Sequence, residues 1–206
     1  TGDNALFRAR PLSSSHVRFI PRLSDLFSNT PAIGESLPVT NRSMELVVAV
    51  RDGKGGVEAD TVNMQVYDTG LDFKVTSHSV SQTLSREDTT TIIWDVADTN
   101  ISPISCINVD IGLVTADGDG IDIETTSNDG QHQITIPDDA PAMNDARFIV
   151  SCSDSQFFNV SAAPLTILAT SGGGTTTTSS GGGGSLGYIS IIFLVIAIMR
   201  RKKLLF

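Results

Sequence analysis

The chain has 206 residues, with 14 Lys and Arg against 23 Asp and Glu, a formal net charge of −9. Four of the basic residues lie in the last seven positions, so upstream of them 10 basic residues face 23 acidic ones, a net charge of −13. Nucleic-acid binding is disfavoured because phosphate contacts require clustered Lys and Arg; the acidic balance suits a soluble secreted protein.

Residues 1–43 favour irregular structure. Prolines recur in them and the apolar positions show no sustained period, which is typical of loops. Only Ser24 to Phe27 could form one helical turn. The sequence starts at Thr1 and has no basic-then-apolar leader, so we expect a fragment whose upstream part, with a signal peptide, is missing.

A β-hairpin is predicted over residues 44–67. Apolar residues alternate along two stretches, as in half-buried strands. Between the stretches, Asp52-Gly53-Lys54-Gly55-Gly56 supplies the positive φ angles that a tight reversal needs. The alternating positions are Met44, Leu46, Val48 and Val50 on the first strand and Val62, Met64 and Val66 on the second.

From Leu71 onward the pattern predicts a β-sandwich. Short apolar stretches recur about every 8 to 18 residues with turn signals between them. Trp94, flanked by isoleucine and valine, is the expected centre of the core. The predicted strands are Phe73–Ser77, Thr90–Val96, Cys106–Thr115, Ile121–Thr126, His132–Pro137, Ala146–Ser153 and Leu165–Ala169.

The two cysteines, Cys106 and Cys152, are expected to form a disulfide, because an even pair in an exported protein is more often bridged than free. The alternative is two buried thiols. Neither cysteine belongs to a Cys-x-x-Cys motif or has a histidine nearby in sequence, so zinc is not expected here.

No catalytic residue is predicted. The three histidines, His16, His78 and His132, lie far apart, and no histidine is placed to activate a serine as in a nucleophile motif. An acidic stretch contains Asp117, Asp119 and Asp122, but it departs from the EF-hand pattern. An acidic β-turn is the preferred interpretation there, and calcium binding stays open.

The C-terminal residues have three parts. Residues 170–185 are Gly, Ser and Thr, which offer too little apolar surface to order and predict a flexible linker. Leu186–Met199 is apolar, and Arg200, Arg201, Lys202 and Lys203 predict a cytoplasmic end. Fourteen residues rise about 21 Å as a helix, less than the roughly 30 Å of a bilayer core. A removable signal therefore fits the length better than a permanent anchor, which remains the alternative.

These parts, in this order, resemble the GlyGly-CTERM sorting signal of Gram-negative bacteria, which is processed by rhombosortase, a rhomboid-type intramembrane protease. The matching residues are Gly181–Gly184, Ser185, the apolar run and the four basic residues. The resemblance implies cleavage near Gly183, Gly184 and Ser185. It also implies an inner-membrane intermediate with a cytoplasmic C-terminus, followed by release to the cell surface or medium.

Upstream motifs resemble segments that follow the catalytic domain of bacterial secreted reprolysin-like zinc metallopeptidases. Phe7–Pro11, Arg18–Pro21 and Val50–Asp52 are similar to the first such segment, and Phe73–Ser77, Ile93–Ala97 and Pro103–Asp110 to the immunoglobulin-like module after it. The zinc site of that family is His-Glu-x-x-His-x-x-Gly-x-x-His, which occurs nowhere in this chain. Zinc is therefore expected only in an upstream catalytic domain, and no cofactor is expected here.

The sequence thus predicts an all-β fold in four parts. Residues 1–70 would be a partial β domain ending in the hairpin, and residues 71–169 an immunoglobulin-like β-sandwich. Residues 170–185 would form the linker, and 186–206 a short transmembrane sorting signal. The predicted function is a non-catalytic accessory and sorting region of an exported, metallopeptidase-type exoprotein, so whether the parent is an enzyme stays open. The alternative is a surface binding or adhesion module without protease activity.

Overall fold

A computed structural model describes residues 6–9, 11, 17–30, 34–154 and 156–171, with the backbone alone at position 171. All of these residues belong to one unit, Thr1–Gly173. The second unit, Gly174–Phe206, lies outside the described residues, and with it lie nearly all of the predicted linker and the whole sorting signal.

Strands make up nearly all of the regular secondary structure of the described residues, which confirms the all-β prediction. The helix α1 spans Leu23–Phe27, where the sequence allows one helical turn. The strands are β1 (Arg42–Arg51), β2 (Val57–Val66), β3 (Lys74–Val75), β4 (Gln82–Arg86), β5 (Thr89–Asp95), β6 (Asn108–Val114), β7 (Gly120–Ser127), β8 (Gln131–Thr135), β9 (Met143–Cys152), β10 (Phe158–Val160) and β11 (Leu165–Ser171). Within the described ranges, no helix has the length and apolarity to cross a membrane.

The predicted hairpin is confirmed as β1 and β2, which pair antiparallel along their full length from Arg42↔Val66 to Arg51↔Val57. Its reversal is built by Asp52, whose Oδ1 accepts the backbone N–H groups of Lys54 at 2.7 Å and Gly56 at 2.9 Å. These hydrogen bonds favour the carboxylate and lower the pKa of Asp52. Gly53 and Gly55 take φ angles of +73° and +105°, which residues with a Cβ seldom adopt.

Two further sheets enclose one hydrophobic core. The larger sheet has the strand order β4-β11-β9-β6-β7, and the short strand β10 also pairs with β9. The smaller sheet has the order β3-β5-β8. Core side chains come from both sheets and include Ile92 and Trp94 of β5 and Ile111 and Phe148 of the larger sheet. Trp94 is 2% exposed, as its apolar flanks predict.

Strands β6 and β7 come close enough that two glycines are required. The pairing shifts by one residue between Ile111 and Gly112. A Cβ on Gly112 would lie 2.6 Å from the carbonyl oxygen of Ile121, and one on Gly120 would lie 2.3 Å from that of Leu113. The missing side chains therefore allow this bulged pairing.

Residues 17–30 pack on the larger sheet, on the face of β9 that points away from the core. The ring of Phe19 meets Phe158 edge-on at a centroid distance of 5.2 Å, and Leu23 of α1 is buried. The Phe27 ring lies 4.8 Å from the guanidinium carbon of Arg147, a cation–π distance. Burial lowers the pKa of Arg147, and Asp145, 3.4 Å away, acts in the opposite direction.

The seven strands predicted after Leu71 all occur, with ends shifted by a few residues. Two strands, β4 and β10, were not predicted. β4 reads Gln-Thr-Leu-Ser-Arg, an edge strand with a single apolar residue, and β10 has only three residues. The predicted boundary at 70/71 falls in the connection between β2 and β3, and it stays a prediction.

Candidate interaction surface

The disulfide between Cys106 and Cys152 is confirmed. Both cysteines are 2% exposed. Cys106 precedes β6 and Cys152 ends β9, the neighbour of β6 in the larger sheet. The bond therefore closes one end of that sheet and links residues that are 46 positions apart.

A buried polar network lies beside the disulfide and is centred on Asn128, which is 2% exposed. Its Oδ1 accepts the indole N–H of Trp94 at 2.9 Å. Its Nδ2 donates to Thr99 Oγ1 at 3.0 Å and to the carbonyl oxygen of Cys106 at 3.1 Å. Asn100 Nδ2 donates to the Asn128 carbonyl at 3.2 Å. Both the oxygen and the nitrogen of the Asn128 side-chain amide are thus engaged in hydrogen bonds inside the core.

His78 is buried between hydroxyl groups and takes a positive φ of 55°. Its Nδ1 lies 3.0 Å from Ser77 Oγ and its Nε2 lies 3.0 Å from Thr90 Oγ1, while its ring meets Phe148 edge-on at 4.6 Å. Burial lowers the pKa of His78. Ser77 Oγ also accepts the N–H of Ile93, and the described partners of the imidazole are hydroxyls, whereas a catalytic triad uses a carboxylate to orient its histidine.

The remaining predicted candidates are not brought together. His132 lies on β8, where Nε2 is 3.3 Å from Glu124 Oε1 and Nδ1 is 3.0 Å from Thr126 Oγ1, and His16 lies outside the described residues. Throughout the part of the chain that the structure describes, no three His, Cys, Asp or Glu side chains are grouped to hold a metal.

The acidic stretch forms the reversal between β6 and β7. Thr115 donates its N–H to the carbonyl of Asp119 at 2.8 Å, and Gly118 donates to Thr115 at 3.0 Å with a φ of +92°. Asp117 and Asp119 lie in this turn, whereas Asp122 lies on β7 opposite Gly112. The geometry is that of a β-turn, and the calcium question stays open.

The predicted sorting residues Gly183, Gly184 and Ser185 and the topology residues Arg200, Arg201, Lys202 and Lys203 lie outside the described residues. Their roles stay predictions. Among the described residues, the remaining candidate for an interaction surface is the β1–β2 hairpin.

One face of the β1–β2 hairpin is apolar and exposed. Cross-strand partners share a face, so this face consists of alternate rows of the ladder. The rows are Arg42↔Val66, Met44↔Met64, Leu46↔Val62, Val48↔Asp60 and Val50↔Glu58. We call these ten residues the apolar hairpin face.

Solvent reaches most of this face. Val50 is 67% exposed, Val48 54%, Val62 48% and Met64 38%. An isolated two-stranded hairpin is only marginally stable in water, and contiguous exposed apolar residues mark interaction sites. The opposite face carries more polar residues, among them Ser43, Glu45, Asn63 and Gln65.

Charges stand at the two ends of the apolar hairpin face. Arg42 occupies the first row, where its Nε is buried without a hydrogen-bond partner in the described structure. Glu58 occupies the last row and Asp60 the row before it. The surface is therefore an apolar strip with a positive end and a negative end.

Comparison with known proteins gives no family. No family model matches the chain, and no curated protein matches it. An internalin-like protein from Listeria monocytogenes has a TM-score of 0.30 and 16% identity over 44% of this chain and 28% of that chain. SGBP-B of the Bacteroides ovatus mixed-linkage glucan utilization locus, solved with a mixed-linkage heptasaccharide, has a TM-score of 0.30 and 15% identity over 66% of this chain and 32% of that one. The chain thus spans less than a third of either protein, and such likeness carries no inference about function.

Sequence reasoning found the hairpin and the disulfide but missed the role of Asn128 and the exposure of the hairpin. In the sequence, Asn128 begins an Asn-Asp-Gly stretch, which is typical of a turn. The alternation along β1 and β2 predicts one buried face, whereas in the structure Val48, Val50 and Val62 of this face are about half exposed or more.

Proposed function

We propose that this chain is the non-catalytic accessory and C-terminal sorting region of an exported bacterial exoprotein, a zinc metallopeptidase whose catalytic domain lies outside these 206 residues. The observation that carries the proposal is the buried Cys106–Cys152 disulfide. Such bonds form and persist in oxidising compartments such as the periplasm and the cell exterior. The excess of acidic residues upstream of the tail also suits an exported, soluble region.

The two histidines that the structure describes are engaged in contacts with neighbouring side chains. His78 lies between the hydroxyls of Ser77 and Thr90, whereas His132 on β8 contacts Glu124. The extended zinc motif of the metallopeptidase family does not occur in these 206 residues, and in this proposal the zinc site belongs to the upstream catalytic domain.

We assign the two facing sheets to the immunoglobulin-like class of β-sandwich. A buried tryptophan on a central strand, with a disulfide at the edge of the same core, supports this assignment. One feature departs from the antibody pattern: the bond joins the segment just before β6 to the end of β9, and both strands belong to the larger sheet, so it does not connect the two sheets.

The sorting role rests on the sequence of the tail. In this proposal the chain is exported, held in the inner membrane by Leu186–Met199 with Arg200–Lys203 in the cytoplasm, and then cut by a rhombosortase-type protease near Gly183–Ser185. The accessory unit would then reach the cell surface or the medium together with its catalytic partner domain.

Release of the chain tests the sorting role. The full chain is expressed behind a secretion signal in Gram-negative strains with and without rhombosortase, and the intact mass of the released protein is measured. We expect released protein that lacks Leu186–Phe206 only when the protease is present. Replacing Gly183 and Gly184 with Leu should block release, whereas the same change at Gly173 and Gly174 should not. Release of protein with its tail intact would refute the sorting role.

Protease activity tests the accessory role. The purified full chain with added zinc should hydrolyse casein no faster than the same sample with a chelator. Chelator-sensitive hydrolysis would overturn the non-catalytic assignment. An upstream sequence that lacks the extended zinc motif and contains only β-repeats would instead favour the surface binding module.

A further inference from the structure

We propose that the apolar hairpin face is a self-association surface, which packs face to face against the same face of a second copy of this chain. The first reason is burial. Four side chains of the face, Val48, Val50, Val62 and Met64, are between 38% and 67% exposed. Covering them removes apolar area from water, which is favourable at about 25 cal/mol per Å².

The order of charges along the face favours a second copy of this chain as the binding partner. Arg42 stands at one end and Glu58 at the other, in the first and last of the five rows. When two such faces meet with their strands antiparallel, the first row of each copy lies over the last row of the other. Arg42 of one copy then approaches Glu58 of its partner, and the same pair forms a second time by symmetry. A face with opposite charges at its ends is therefore complementary to itself.

The charges also fix the two-fold axis. The midpoint between the first and last rows is the row Leu46↔Val62, so the axis passes through it and places Leu46 of β1 over Leu46 of the partner copy. The parallel alternative would bring Glu58 and Asp60 of both copies to the same end, with like charges facing each other. An isologous contact of the antiparallel kind closes on itself and gives a dimer rather than a fibre.

The size of the face predicts a weak dimer. Ten residues per strand span about 33 Å, and two strands lie about 4.8 Å apart, so the strip is narrow. It buries less than the roughly 800 Å² per partner of a standard stable interface. The association is expected to be transient and concentration-dependent.

Site-specific cross-linking tests the geometry in the full chain, kept in mild detergent so that the apolar tail stays covered. Leu46→Cys is compared with Val47→Cys, which lies on the opposite face of the same strand and is 65% exposed. The native cysteines are joined to each other, so a short bis-maleimide reacts only at the new thiol. We expect a cross-linked dimer with Leu46→Cys and little with Val47→Cys, although the latter thiol is the more accessible.

Charge reversal tests the pairing. Arg42→Glu and Glu58→Arg should each weaken the dimer about tenfold, because both symmetric pairs become repulsive. An equimolar mixture of the two variants should restore dimerisation, since both contacts of the mixed dimer join opposite charges. Unchanged Trp94 fluorescence verifies that each variant keeps its core.

Two results would overturn the proposal. Equal cross-linking at positions 46 and 47 would mean that contact between copies is non-specific. A chain that stays monomeric at high concentration, with no dimer captured through Leu46→Cys, would mean that a different partner covers the face.

Discussion

Replacing Asn128 with Ala should destabilise the β-sandwich more than any other single change to a polar side chain described above. The substitution removes three hydrogen bonds, one from the indole of Trp94 and two donated to Thr99 Oγ1 and to the Cys106 carbonyl. Trp94 and Cys106 are each 2% exposed, so water does not replace the lost partner without opening the core.

The magnitude follows from the groups left behind. A buried donor or acceptor without a partner costs about 1–3 kcal/mol, and Asn128→Ala leaves two, the Trp94 N–H and the Cys106 carbonyl. We expect the free energy of unfolding to fall by about 4 kcal/mol, a large part of the roughly 5–15 kcal/mol of a typical domain. Asn100→Ala is the matched control, because it removes one hydrogen bond at a partly buried position of the same network and should cost about 1 kcal/mol.

Urea unfolding of the full chain in mild detergent measures both values. The chain has one tryptophan, and it lies in the network itself, so its fluorescence reports directly on the site. If Asn128→Ala costs no more than Asn100→Ala, the amide is not the centre of the network and the reasoning fails.

Three further predictions concern stability. The pKa of His78 is lowered by burial, so near the ordinary histidine pKa of about 6.5 the unfolded state binds more protons than the folded state. The free energy of unfolding should therefore fall as the pH drops from above about 6.5 toward the pKa of folded His78. Denaturation series at several pH values should show that His78→Gln removes this pH dependence while His132→Gln does not. Replacing Cys106 and Cys152 with Ala should cost about 4 kcal/mol, whereas in the native chain alkylation without reduction should label neither, and quantitative labelling would contradict the bridge. Gly112→Ala should lower the free energy of unfolding by about 1–3 kcal/mol, because its Cβ would lie 2.6 Å from a backbone oxygen; an unchanged urea midpoint would mean that the bulge adapts.

The local parts of the fold were predictable from sequence where a single physical rule dominates. Alternation along Met44–Val50 and the glycines after Asp52 predict the hairpin. The isoleucines before Trp94 likewise predict a buried strand, and the parity of the cysteines predicts the bridge. Each of these signals lies within a short window of residues.

The remaining features depend on partners that are distant in sequence. β4 becomes a strand because β11 offers it a partner, and Asn128 becomes a core residue because Trp94 and Cys106 surround it. The cation–π contact of Phe27 with Arg147 joins a segment that reads as loop to the middle of the larger sheet. No short window contains both members of such a pair.

The position of β11 has a consequence for how the protein is made. β11 is the last strand in sequence among the described residues, yet it lies inside the larger sheet, parallel to β4 on one side and antiparallel to β9 on the other. Leu165 pairs with Gln82, so this contact closes a long loop and is expected to form slowly. A chain that has emerged only as far as β10 lacks the strand that joins β4 to β9, and unpaired strand edges promote aggregation. We therefore expect the nascent protein to expose the unpaired edges of β4 and β9 until β11 has emerged.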